Sequence, residues 1–511
     1  MAWGRSVVAP SVNPTPSRER ICLLTGGGYP YRRDALGGWC RTLVDGLHRF
    51  RFELLTVTDR ELPSAPAYPL PLNVGSARAI ALSRKPARFE RRRAHLPDSA
   101  SDAVAQFCHG LLDESATDVF ADGLRGLAEM AGNRPSPLPR LPLAEKLLDA
   151  WRWGLHPEPD NFPKLSVRDA RIAATLLRHA LRALAVPVPD VDLVHCVGGT
   201  TPLLAALAGR WRSGTPLLLT EARTPVTRRR PGEERLSPAV RLVLRRFRSA
   251  VARTGYAEAE IIAPLSGYHH GWALDHGAEP TRLVRVPAGV DPKEYPGAVE
   301  VENPPSVVWA GSGGPDSGLT PMLDAFAEIT AALPGTVLHL VGVTAKHEEY
   351  CADRIEQTGQ AGAIRMNPLP ADPRERFTVG QVVAHVPGPS DPPSRLIEAM
   401  MSGRPVVALD VGPAAETLGE TGVVVPADDP SELAIAIVDL LRATPRRRAL
   451  GDAARQRALN HFTADRVVRV YGALYTDLAA PPPAQAFELA LAVPAPRTPM
   501  PATLRWLTRE D

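Results

Sequence analysis

The stretch Leu396-Ile397-Glu398-Ala399-Met400-Met401-Ser402-Gly403-Arg404-Pro405-Val406-Val407-Ala408-Leu409-Asp410-Val411-Gly412-Pro413-Ala414-Ala415-Glu416, continuing to Gly422-Val423-Val424-Val425-Pro426, decides how the chain folds. It reads as helix, glycine turn, buried strand and glycine loop, with one carboxylate on the helix and another just past the strand. A Gly-Arg-Pro break followed by the apolar run 406–409 has the pattern of a parallel strand covered on both faces. The carboxyl ends of such strands are where open α/β sheets bind ligands. Glu398 can accept hydrogen bonds from a ribose, and the turn after Asp410 lets backbone N–H groups approach a phosphate. The same residues also make an ordinary helix–strand unit with a solvated glutamate, so the stretch alone leaves both readings open.

The rest of the chain repeats the alternation. In the second half, strands are expected at 306–310, 336–341, 405–409 and 422–425, with a weaker one near 382–386. Helices are expected at 319–332, 347–358, 394–402, 430–442, 445–460 and 464–478. In the first half, 21–25 reads as a short buried strand whose glycines lead into a helix over 39–50, and 52–58 reads as a second strand. Residues 63–97 are broken by proline and carry basic clusters, which predicts an irregular or β-rich insertion. Helices follow at 101–112, 116–131, 141–153 and 167–185. Strands at 192–195, 216–220, 261–263 and 283–286, with helices at 200–211 and 238–252, complete the first sheet. The Pro/Glu-rich segment 296–305 marks a domain boundary. This divides the chain into a loose tail (1–18), a first domain (19–295, with an insertion over 63–165), a second domain (306–463), a final helix (464–478) and a Pro/Ala-rich tail (479–511).

Composition narrows the class. Of 511 residues, 44% are hydrophobic and 23% charged, which indicates substantial cores and excludes a disordered chain. A net charge of +3 is too small for this length to argue for nucleic acid. Arginine is dense at 91–93, 228–230, 245–246 and 446–448, read as solvated faces or loops. Cys22, Cys40, Cys108, Cys196 and Cys351 are scattered and odd in number, which argues against a disulfide framework or zinc site. No apolar core of a signal peptide and no apolar stretch of membrane-spanning length is visible, so the cytoplasm is the expected compartment.

Pro287-Ala288-Gly289-Val290-Asp291, Val307-Val308-Trp309-Ala310-Gly311, Leu338-His339-Leu340-Val341-Gly342, His461-Phe462-Thr463 and Tyr471 to Tyr475 follow an order similar to the donor-binding half of family-four retaining glycosyltransferases. That resemblance covers 285–478. Ile21-Cys22-Leu23-Leu24-Thr25-Gly26-Gly27-Gly28-Tyr29-Pro30-Tyr31 and Gly37-Gly38-Trp39 resemble the opening of the Pel-type exopolysaccharide enzymes, and Leu217 to Glu221, Val341 to Thr344 and Glu349-Tyr350 extend that narrower match. The resemblance implies a GT-B fold, α/β with two Rossmann-like domains whose parallel sheets face across a cleft. It implies transfer of a sugar, with retention, from a nucleoside diphosphate sugar, UDP-linked, to a glycan or small acceptor in polysaccharide biosynthesis. No cofactor beyond that co-substrate and no bound metal are implied. A membrane-associated synthase would be a partner, at the inner membrane face.

On this resemblance Glu398 binds ribose, and the loops Gly26-Gly27-Gly28 and Gly311-Ser312-Gly313-Gly314 hold the diphosphate. His195 matches the family's strand-end histidine, although a histidine there also serves as a satisfied structural group. Glu221 lies on the acceptor side. Three departures stand out. The family's donor-phosphate Arg and Lys fall on Ser312 and Ser317. With each charge-assisted hydrogen bond worth about 1.5–3 kcal/mol, the two losses amount to roughly 10²–10⁴-fold in transition-state stabilisation. The serine hydroxyls, the N–H groups of Gly313 and Gly314, and Arg395 are candidates to replace part of this. The family's first paired carboxylate falls on Ser390, with Asp391 adjacent, so Asp391 or Ser390 meets the sugar. The histidine expected after Glu221 is Ala222. These losses keep a rival open: a GT-B binding or assembly protein without catalysis. A nucleotide-sugar epimerase is a third class, which the whole-chain resemblance disfavours.

Overall fold

A computed structural model describes residues 19–59, 61–83, 99–132, 137–153, 162–222, 233–297, 300, 304–315, 317–370, 372–387 and 393–480. Ser390, Asp391, the arginine runs at 91–93 and 228–230, and nearly all of both expected tails lie outside these residues. The first half contains β1 (Arg20–Thr25), α1 (Ala35–Gly46), β2 (Arg51–Thr58), β3 (Val74–Ala81), α2 (Ser99–Leu112), α3 (Thr117–Ala131), α4 (Leu143–Trp153), α5 (Val167–Leu181), β4 (Leu193–Val197), α6 (Thr200–Ser213), β5 (Leu217–Glu221), α7 (Pro238–Glu258), β6 (Ile261–Pro264) and α8 (Gly267–Asp275). Its six strands are all parallel, in the order β3-β2-β1-β4-β5-β6. Every residue of β4, β5 and β6 is buried, as strands with helices on both faces require.

The second half contains β7 (Ser306–Ala310), α9 (Leu319–Ala332), β8 (Val337–Val341), α10 (Glu348–Gln357), β9 (Ile364–Asn367), β10 (Val382–His385), α11 (Ser394–Met401), β11 (Val406–Leu409), α12 (Ala414–Leu418), β12 (Val423–Val425), α13 (Pro430–Arg442), α14 (Thr444–His461) and α15 (Ala464–Ala479). Its strands are again all parallel, ordered β12-β11-β10-β7-β8-β9. The two Rossmann-like sheets expected from the sequence are therefore present.

Local departures have physical causes. Residues 74–81, expected to be irregular or β-rich, form the edge strand of the first sheet, where burial is only partial and the apolar signal is weak. Residues 283–286 make no full strand. Val284 and Val286 donate to the carbonyls of Ile262 and Pro264, but Pro264 has no N–H to extend the ladder. β9 escaped the sequence reading because it is an edge strand with exposed Arg365 and Met366. The arginine runs are not uniformly solvated. Arg246 is buried and donates to the Leu112 carbonyl, and Arg447 is buried between Glu300 and the carbonyls of Leu440 and Leu441. A guanidinium meets helix-end carbonyls with several donors at once.

Helix α15 belongs spatially to the first sheet. Tyr471 and Tyr475 are fully buried beside Trp39, Phe50 and His195. The Tyr475 hydroxyl bonds His195 Nδ1 at 2.6 Å, Thr220 Oγ1 bonds Nε2 at 2.7 Å, and the Tyr471 hydroxyl bonds Thr220 Oγ1 at 2.7 Å. Arg49 adds bonds to the Gly472 carbonyl and the Thr476 hydroxyl. The two chain crossings between the halves also touch. Val290 N donates to Phe462 O at 3.0 Å and Ala464 N to Val290 O at 2.9 Å. A Cβ on Gly289 would lie 2.5 Å from the Thr463 carbonyl oxygen, so the close approach needs glycine.

Burial holds His195 neutral, its pKa lowered to about 3, and burial lowers His269 to about 4. An unfolded histidine titrates near 6.5. The contribution is therefore complete above about pH 6.5 and falls as the pH drops toward the folded values, by up to about 1.4 kcal/mol per pH unit for each group. Thermal melts between pH 7.5 and 5 should show a steeper loss of stability in the wild type than in His195→Gln; equal slopes would refute the assignment.

Candidate functional site

The strand order reverses between β7 and β10 in the second sheet and between β1 and β4 in the first. At such switch points neighbouring loops leave in opposite directions and open a crevice at the carboxyl edge. In the second sheet this edge carries the 311–318 loop. Ser312 O accepts from Thr344 N at 3.1 Å and Thr344 Oγ1 at 3.2 Å, and the Ser317 hydroxyl donates to Gly314 O at 2.5 Å. Ser317 thus closes the loop on itself and does not offer its proton outward. Gly313 and Gly318 are left-handed, and Gly318 caps α9 without any side-chain bond. The first N–H groups of α9 therefore have no side-chain cap at the loop. Arg395, on the first turn of α11, donates from Nη1 to the Ala310 carbonyl at 3.1 Å. It brings a guanidinium to the end of β7, where Ser312 and Ser317 bring none.

Glu398 is only 8% exposed. Its Oε2 is paired with Arg376 Nη1, which also donates to the Tyr295 hydroxyl at 3.3 Å. Burial, and then the Glu398 charge, push the Tyr295 phenol up. Tyr295 comes from the segment joining the halves, and Arg455 of α14 donates to its carbonyl at 2.8 Å. The carboxylate expected to face a ribose thus faces a protein cation inside a polar knot linking the joining segment, residue 376, α11 and α14.

On the first sheet, Gly26, Gly27 and Gly28 form the turn after β1, with Gly28 left-handed and its carbonyl accepting from Tyr31 N and Arg32 N. The helix that follows starts at Ala35, not after Gly38, and Asp34 caps it by accepting from Gly37 N at 2.6 Å. A carboxylate of the chain already meets that N-terminus. The N-terminus of α6 differs: its cap, Gly199, makes no side-chain bond. His195 is 0% exposed, with both ring nitrogens bonded as described, so it stands behind the sheet edge. Glu221 ends β5, is 3% exposed and accepts from the Tyr256 hydroxyl at 2.7 Å. The structure therefore gathers Gly311, Ser312, Gly313, Gly314, Ser317 and Arg395 at one edge, while His195 and Glu221 sit in the first domain's interior.

Residues 19–281, just over half of the chain, match the family described as Domain of unknown function (DUF3492). The chain belongs to the DUF3492 family. Downstream of the DUF3492 region, residues 304–443 match Glycosyl transferases group 1. The MMP alpha-(1->4)-mannosyltransferase of Mycolicibacterium hassiacum is 29% identical over 360 residues, 67% of this chain and 80% of that protein. The D-inositol 3-phosphate glycosyltransferase of Corynebacterium diphtheriae is 40% identical over 142 residues, 26% of this chain and 32% of that one. Among solved structures, sucrose-phosphate synthase from Thermosynechococcus elongatus superposes with a TM-score of 0.59 at 17% identity, covering 92% of this chain and 100% of that one. Anabaena HepE, solved with UDP and glucose, gives 0.53 at 15% identity, covering 90% and 99%. With its two six-stranded parallel sheets the chain has the GT-B fold.

One contact between the DUF3492 region and the second sheet was not read from the sequence. Glu416 of α12 accepts from Gly267 N at 2.5 Å and Tyr268 N at 3.0 Å, capping α8 from the other domain. Arg376 was missed as well, because a lone arginine in a polar loop carries no periodic signal. Replacing it tests the polar knot. Arg376→Ala leaves Glu398 buried without its cation and should cost about 3–5 kcal/mol, read as a fall in the urea midpoint. The double variant Arg376→Met with Glu398→Gln should recover most of the loss.

Proposed function

We propose that the protein is a retaining glycosyltransferase that takes its sugar from a UDP-linked donor bound at the β7/β10 switch point and passes it to a glycan or small acceptor during polysaccharide synthesis. The observation that carries this reading is the 311–318 loop: a glycine turn at a carboxyl edge, followed directly by the side-chain-uncapped N-terminus of α9 and flanked by Arg395. It lies within the segment that matches Glycosyl transferases group 1. As the glycosidic bond breaks, negative charge grows on the departing nucleoside diphosphate. In this reading the helix N–H groups and the Arg395 guanidinium held beside the loop stabilise that charge. UDP as the nucleotide is supported by HepE, whose structure holds UDP. In this reading Glu398 shares its carboxylate between Arg376 and the ribose, Asp391 or Ser390 meets the sugar, the Gly26 to Gly28 turn approaches the diphosphate from the first domain, and Glu221 belongs to the acceptor side. His195 acts only by holding α15. A membrane-associated synthase would use the product.

Calorimetric titration with UDP, GDP and UDP-glucose tests the donor site. One nucleotide should bind at micromolar strength, and Arg395→Ala should weaken it roughly tenfold or more, the weight of one charge-assisted hydrogen bond. Folded protein that binds none of the three would overturn the reading and leave the binding or assembly role. Retention is checked by NMR of the first-formed anomer once an acceptor is found.

A further inference from the structure

The donor-site reading leaves one side chain at the 311–318 loop without a role. His347 lies between Thr344 and α10, with Nδ1 3.1 Å from the Ser312 carbonyl and 3.2 Å from Thr344 Oγ1. The carbonyl can only accept, and the threonine hydroxyl donates to that same carbonyl. Nδ1 therefore carries the proton, and the neutral ring keeps a bare Nε2. The ring edge faces the loop: a Cβ added to Gly314 would meet Cε1 at 2.8 Å, Nδ1 at 3.0 Å and Nε2 at 3.1 Å. Glycine at 314 is what lets the imidazole lie against the turn.

Resting on the donor-site reading, we propose that His347 is a proton-dependent diphosphate ligand: protonated at Nε2, it presents an N–H⁺ to the donor diphosphate at the loop whose positions 312 and 317 carry no cation. Neither serine supplies a cation there: Ser317 donates to Gly314 O, and the Ser312 carbonyl holds His347 itself. The described residues of the loop are uncharged; its one charged position, Asp316, lies outside the described residues. Charged groups on the surrounding elements are Lys346 beside the ring, Glu348 and Glu349 on the first turn of α10, Asp324 and Glu328 on α9, and Arg395 on α11. A bound diphosphate favours the imidazolium over the neutral ring, so donor affinity should be higher at acid than at alkaline pH.

The test is calorimetry of full-length protein with UDP-glucose and GDP-mannose, whose diphosphate diesters do not titrate in this range, at pH 5.5 and 8.5. Wild type should bind one of them roughly tenfold more tightly at pH 5.5, as one charge-assisted bond predicts. His347→Gln should bind about equally at both pH values, and His347→Lys should restore tight binding at pH 8.5. Arg395→Ala should weaken binding at both pH values and keep their ratio. Donor binding that ignores pH in the wild type, or a ratio that persists in His347→Gln, would overturn the proposal while leaving the donor site standing. Binding of neither donor at either pH would overturn the donor site and this proposal together. Unchanged melting curves for the His347 variants separate these results from misfolding.

Discussion

The bond set joining His195, Thr220, Tyr471 and Tyr475 is what the architecture depends on. It places three hydroxyls and an imidazole in a fully apolar setting, where each polar group is costly unless paired. Every member is paired, so the network has one low-energy arrangement, and that arrangement docks α15 on the first sheet. Without it the first sheet would expose Trp39 and Phe50, and the crossing at Val290 and Thr463 would lose its far anchor.

Both sheets place a switch-point crevice at the carboxyl edge, yet their edges are built differently. The first has one helix N-terminus closed by Asp34 and another, on α6, capped by glycine. The second has a glycine turn, a helix N-terminus without a side-chain cap and a guanidinium. Partial positive charge therefore gathers at the second edge. Glu416 works in the opposite sense, supplying negative charge to the start of α8 from the second domain.

Much of the fold was legible because buried parallel strands are short apolar runs closed by glycine or proline. The runs 406–409, 306–310 and 217–220 carry that signature and form β11, β7 and β5. β3 and β9 were hard to read because, unlike the edge strands β6 and β12, they have exposed positions and carry no apolar run. At the candidate site, the sequence pointed to Glu398, the glycine loop and Arg395. Arg376 could not be foreseen. Its partner is 22 positions away, beyond β10, and only the packed structure shows that Glu398 needs a cation. The same holds for His347, which owes its place to a carbonyl 35 positions earlier.

The docking of α15 also bears on how the molecule is made. A ribosome delivers the chain from its amino end, and domains ordinarily fold as they emerge. Here the first domain cannot finish when its own last strand, β6, appears, because Tyr471 and Tyr475 complete its core only after the entire second domain has been synthesised. Until then Trp39, Phe50 and His195, whose Nδ1 lacks its Tyr475 partner, lie uncovered on the first domain. Docking of α15 can therefore complete the first domain's core only after the second domain has been synthesised.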